Sequence, residues 1–142
     1  MYQAVDLSKY IVTKCATDNY PISNLQLQKI LYFIQKAYLN QETRAFSDEI
    51  EAWQFGPVVP NVYYYFSGYG AMPIGDEYDC SGLALTVADY RIIDPIVEEK
   101  RLLAPWDLVN ETHKQGGAWD KIYRNGLGNH QVIPINLIKE FG

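Results

Sequence analysis

The chain has 142 residues, 48% of them hydrophobic and 20% charged, with a formal net charge of −5. That length suits one domain, here residues 1–142, with a core of useful size, and the composition excludes a disordered tail or a low-complexity polymer. Lys and Arg are scattered without a basic cluster, which argues against direct nucleic-acid binding. The start of the chain, MYQAVDLSKYIVTKC, has no basic leader followed by an apolar run, and no apolar stretch reaches the roughly 20 residues needed to span a bilayer. A cytoplasmic protein without a membrane association is therefore expected. The two isolated cysteines, Cys15 and Cys80, have no ligand spacing and agree with a reducing compartment.

In chain order, Ala4, Leu7, Tyr10, Ile11, Lys14 and Cys15 recur at helical spacing and predict a helix to about Ala16. Ser23 and Gln26, three residues apart, have the form of a capping box. The helix they open carries Leu27, Ile30, Leu31, Ile34, Ala37 and Tyr38 on one face, with Tyr32 and Phe33 widening it. It is expected to be central and to end near Leu39.

Between Ala45 and Val59 the period changes, and Ile50 and Ala52 alternate with Glu51, Trp53 and Phe55 as in a short strand or hairpin around 48–58. Gly56 and Pro57 punctuate it, and Pro60 suits the first turn of a helix to about Phe66. Ser67 to Gly82 reads as a long surface loop and the most mobile segment. Thr86 with Asp89 marks another helix start, and Asp94-Pro95 either ends that helix or opens a fresh one, with Ile96, Val97, Lys100 and Leu103 facing inward. Short helices follow from Pro105 and from Ala118, then turns over 125–129 and a closing helical turn over 135–141. The fold class is thus mainly α with a small β element.

No catalytic, cofactor-binding or metal-ligating set is legible. His113 and His130 lack a second ligand at metal spacing and read as surface or capping residues. The glycines of SGYGAMPIG and NGLGN lack the strand-before, helix-after setting of a phosphate cradle, and there is no G-x-S-x-G. A hydrolase built from His113, Glu111 or distant aspartates would need a deep polar pocket around His113. Aromatic content is the more informative signal: 12 Tyr, 5 Phe and 3 Trp, including the run Tyr63, Tyr64, Tyr65. Three successive helical residues cannot all face one core, so these tyrosines, with Tyr69, form a candidate protein interface. Trp53, Trp106 and Trp119 are expected as core anchors, and Lys29 as a structural residue that either snorkels to solvent or pairs internally.

Two stretches, ISNLQLQKILYFIQKAYL and EIEAWQFGPVVPNVYYYF, together resemble the Panacea-domain family of phage-associated and genetic-element proteins, which includes SocA-like antitoxins. The resemblance is carried by Leu27, Gln28, Lys29, Leu31 and Tyr32, then by Ala52, Trp53, Gly56, Pro57, Val58, Pro60 and Tyr63. The stretches around Trp106 and Trp119 are similar to the family's later region. The resemblance implies a compact, mostly helical fold with a small β element. It also implies the role of an antitoxin that neutralises a toxin encoded next to it. The alternative it implies is an adaptor that delivers its client to an AAA+ protease, as the SocA type does with ClpXP. It implies no catalytic residue. For the shared motif itself, Gly56-Pro57 is expected to turn the chain so that Trp53 lies over the second helix and covers Leu31 or Ile34.

Overall fold

A computed structural model describes residues 1–142. Seven α-helices surround one another with a three-stranded sheet at one end, in the order α1 (Ala4–Thr17), α2 (Asn24–Leu39), β1 (Glu51–Trp53), β2 (Gly56–Val58), α3 (Pro60–Tyr65), α4 (Val87–Lys100), α5 (Pro105–Thr112), α6 (Ala118–Tyr123), β3 (Gln131–Val132) and α7 (Ile135–Phe141). The chain is mainly α with a small antiparallel sheet, of strand order β2-β1-β3.

The capping box of α2 forms as its sequence predicts: the Ser23 hydroxyl accepts from the Gln26 amide, and the Ser23 amide donates to the Gln26 side chain at 2.9 Å. From there Leu27, Ile30, Leu31 and Ile34 are fully buried in a cluster of 27 core residues. At about 1.5–3 kcal/mol for each fully buried aliphatic side chain, this face is what holds α2 at the centre. The helix packs against α1, α4, α5, α7 and β2.

Polar side chains of α2 hold the passing chain. Gln35 is buried, accepting from the Ala45 amide at 2.8 Å and donating to the Phe46 carbonyl at 2.8 Å. Asp89 at the start of α4 is also buried, and it accepts from the hydroxyls of Tyr2 and Tyr38 and from the Thr86 amide. Burial alone would raise its pKa. The tyrosine hydroxyls and Thr86 outweigh that and hold it at about 2.

Several elements differ from their sequence expectation. α4 runs straight through Asp94-Pro95, with Pro95 on an exposed face, and its buried residues are Asp89, Ile93 and Val97. The chain reversal after β1 falls on Gln54 and Phe55, not on Gly56-Pro57, because Trp53 pairs with Gly56 across the hairpin. β3 has no counterpart in the sequence reading, since two residues are too short to show an alternating pattern. The 67–86 segment is pinned: Ile74 is fully buried and donates its amide to the Ile22 carbonyl, and the Tyr78 amide donates to the Thr13 hydroxyl, both at 2.8 Å. No helix is long and apolar enough to cross a membrane.

Candidate functional site

The shared motif residues of α2 and β2 meet in a buried polar clamp. Gln28 accepts from the Val59 amide at 2.8 Å and donates to Asn24 at 2.9 Å, and Asn24 in turn donates to the Tyr63 carbonyl at 3.0 Å. Lys29, with no surface open to water, donates to the Pro57 carbonyl at 3.1 Å. An α-helix thereby satisfies backbone groups on the outer edge of β2 and the start of α3 that no further strand covers. Burial drives the Lys29 ammonium down to about 7, because nothing anionic offsets its lost hydration. Leu27, Leu31 and Tyr32 lie in the core beside the clamp, while Ala52, Pro57 and Val58 form the buried side of the hairpin and Pro60 opens α3.

Gly56 is required here on two counts. Its φ of +112° is one that L side chains rarely adopt, and a Cβ would lie 2.7 Å from the Thr112 hydroxyl oxygen and 2.8 Å from Lys29 Cε.

Above the clamp opens a cleft of about 640 Å³. Trp53, Phe55, Tyr63, Trp106 and His130 supply its aromatic walls, and Lys29 and Gln28 border its floor. Trp53 stacks on His130 with centroids 4.3 Å apart and meets Tyr63 edge-on at 5.0 Å, while Phe55 meets Trp106 edge-on at 5.3 Å. Volumes of this order, lined by aromatic groups with a few polar ones, are typical of ligand sites. Tyr64, 61% exposed, continues the aromatic surface from Tyr63 and Trp53. None of the cleft's 16 lining residues is Asp or Glu, although the chain has 17 of them.

The tryptophans part company with the expectation of three core anchors. Trp119 is buried, and its indole N–H donates to the Trp53 carbonyl at 2.8 Å, tying α6 to β1. Trp106 is 58% exposed, because the first turn of α5 projects it into the cleft mouth. Trp53 is half-buried and is not among the side chains packed on the core; its ring goes to His130 and Tyr63 instead of Leu31 or Ile34. The strand alternation explains this: Ala52 faces the core, so Trp53 must face away.

The tyrosines also divide. Tyr63 lines the cleft and Tyr64 lies outside it against Tyr63 and Trp53, whereas Tyr65 packs against Phe66, with Lys9 over its ring. Tyr69 packs on the core and donates its hydroxyl to Asp76. His130 is exposed at the cleft rim, where its ring stacks on Trp53. His113 caps α5, but its ring lies flat on Trp119 at 3.7 Å and its Nε2 is buried without a hydrogen-bond partner. Burial, then the Lys29 charge, lowers its basicity. It does not line the cleft, and the Glu111 carboxylate turns to Lys100 at 2.8 Å, so the two do not converge there.

Phe55, Gln54, Asn129 and His130 escaped the sequence reading as site residues. For Phe55 a signal existed, an aromatic side chain in a tight hairpin turn. Asn129 and His130 reach the cleft only through β3, whose pairing is invisible from the sequence.

Fold and cleft together define a small, mainly helical domain whose most developed surface feature is an aromatic groove beside a hairpin clamped to a central helix. Residues 27–120 match the family described as antitoxin SocA-like, Panacea domain, and the chain belongs to that family. Antitoxin SocA of Caulobacter vibrioides (strain NA1000 / CB15N) is 36% identical over 149 aligned positions, covering 95% of this chain and 79% of that protein. No solved structure matches the chain.

Proposed function

We propose that this antitoxin-family protein neutralises a cognate toxin, encoded by the neighbouring gene, through direct contact at the aromatic cleft. The carrying observation is the placement of Trp106 and Phe55, large aromatic side chains held at 58% and 45% exposure in the walls of one concavity, with Tyr64, 61% exposed, beside them against Trp53 and Tyr63. Such residues are poorly used in water and are the commonest anchors of protein interfaces. Family membership supplies the partner class, and the cleft supplies a place for it to bind.

Co-expression tests the reading. Expression of the neighbouring open reading frame alone is expected to arrest growth, and this chain to restore it. Trp106→Ala and Tyr64→Ala are expected to weaken toxin binding by roughly 30-fold or more, as for an interface anchor worth about 2 kcal/mol, while shifting stability by less than about 1 kcal/mol. A neighbouring frame harmless by itself, or full rescue by the double variant, overturns the proposal.

A further inference from the structure

The cleft differs in charge from the rest of the molecule. Among its lining residues the ionisable groups are Lys29, His130 and Tyr63. The Glu51 carboxylate, which contacts Trp53, is engaged by the Trp53 indole N–H at 2.9 Å. Asp107 follows Trp106 on α5 but does not line the cavity.

Beneath the floor, Lys29 in its protonated form carries a charge whose one hydrogen bond goes to the Pro57 carbonyl and which no acidic side chain offsets. Being shielded from water, its field is screened less than that of a surface lysine. A cation brought into this cleft would meet no counter-charge and would face a second positive group. An anion would meet Lys29 below, His130 at the rim, and the donating amides of Gln54 and Asn129. The net charge of −5 opposes an acidic partner only weakly, because exposed charges beyond about 8–10 Å are largely screened at physiological salt.

The aromatic walls point to the rest of the ligand. One face of Trp53 is already taken by the stacked His130 ring, and Tyr63 packs against Trp53 edge to face, which restricts the room for a planar ring system to intercalate there. The space between Trp53 and the Phe55–Trp106 pair suits a bulky apolar side chain, and the rim amides can bond to a passing main chain. We propose that the cleft receives a short extended segment of the partner protein, with an apolar side chain between Trp53 and the Phe55–Trp106 pair and a flanking carboxylate drawn toward Lys29 and His130. This rests on the reading that the cleft is the toxin-binding face, and it adds the chemistry of what enters.

Three tetrapeptides serve as probes: acetyl-Glu-Leu-Phe-Glu-amide, its glutamine counterpart and its lysine counterpart, titrated against the full chain and followed by tryptophan fluorescence and isothermal calorimetry. At pH 6.5, where Lys29 is mostly protonated, the acidic peptide is expected to bind about tenfold tighter than the glutamine one, in line with attraction to a weakly screened charge, and the lysine peptide weakest. Lys29→Met is expected to erase the acidic preference while the glutamine peptide still binds. Should Lys29→Met not fold, His130→Gln carries the same arm and is expected to reduce the preference by half or more. Equal or tighter binding of the lysine peptide, no saturation by any of the three, or an acidic preference unchanged in both variants overturns the proposal. Concentration-dependent self-association that Trp106→Ala abolishes would make a second copy the occupant and overturn it too. Toxin binding lost in Trp106→Ala without any acidic-peptide preference removes this inference alone. An acidic preference with toxin binding unaffected by Trp106→Ala removes the functional reading instead.

Discussion

Lys29 illustrates how a single residue can be costly and retained. Its aliphatic stem fills the space beneath Gly56, and its head satisfies the Pro57 carbonyl. The charge is the expensive part. With the folded-state value near 7 against 10.5 in a solvated chain, the unfolded state holds a proton between those limits that the folded state releases. Stability therefore rises with pH from about 7 toward 10, and below 7 the whole cost of the buried charge is carried. A shift of this size corresponds to something on the order of 5 kcal/mol. Lys29→Met keeps most of the volume and removes the charge. Urea unfolding at pH 7 is expected to show the variant at least as stable as the parent despite the lost hydrogen bond, with a flat profile to pH 9.5 where the parent climbs. A parent profile that is flat over this window sinks the assignment. The comparison stops at 9.5 because half-buried Tyr2 and buried Tyr32, pushed up to about 12, introduce the opposite slope above pH 10.

At the scale of elements, the strap over 67–86 shows why a long segment with four glycines need not be loose. Ile74 inserts fully into the core, and Tyr78 packs edge-on against Phe66. Truncating Ile74→Ala is expected to cost about 2–4 kcal/mol in urea unfolding and to speed limited proteolysis within 67–86 at least several-fold. Unchanged cleavage would mean that the anchor does not hold the strap. This segment also marks the limit of what sequence could reveal. Helical periodicity and two capping boxes, Ser23–Gln26 and Thr86–Asp89, made α1, α2 and the start of α4 legible, because local spacing decides local structure. A lone anchor such as Ile74 has no period, and the clamp formed by Gln28 and Lys29 depends on a partner about thirty residues away. For the cleft, the tyrosine run and the three tryptophans were visible as types, but their directions were set by the hairpin. Trp53 had to face outward once Ala52 faced in, and Trp106 was exposed by its place in the first turn of α5.

Across the whole molecule, α2 connects two polar centres of opposite sign, nine residues apart between Lys29 and Tyr38, which is about 14 Å along a helix axis. One is the buried cation under the cleft. The other is Asp89, where Tyr2, Tyr38 and Thr86 converge and join the first residues of the chain to α2 and α4. Because the folded-state value of Asp89 is held at about 2, below its ordinary 3.8, its contribution is present above pH 4 and is lost as pH falls toward 2. The shift corresponds to about 2 kcal/mol. Other carboxylates titrate in the same range, so the informative quantity is the difference between the parent and Asp89→Asn. That difference is expected to be about 2 kcal/mol or more at pH 7 and to close between pH 4 and 2, measured by urea unfolding at each pH. A gap that stays constant down to pH 2 would show that the tyrosine hydroxyls do not depend on the Asp89 charge. Since this centre lies away from the cleft, Asp89→Asn is expected to retain toxin binding at pH 7 within about threefold. Trp106→Ala is expected to do the reverse, leaving stability nearly intact while weakening binding. Such a double dissociation separates the part of α2 that holds the fold from the part that floors the proposed docking surface.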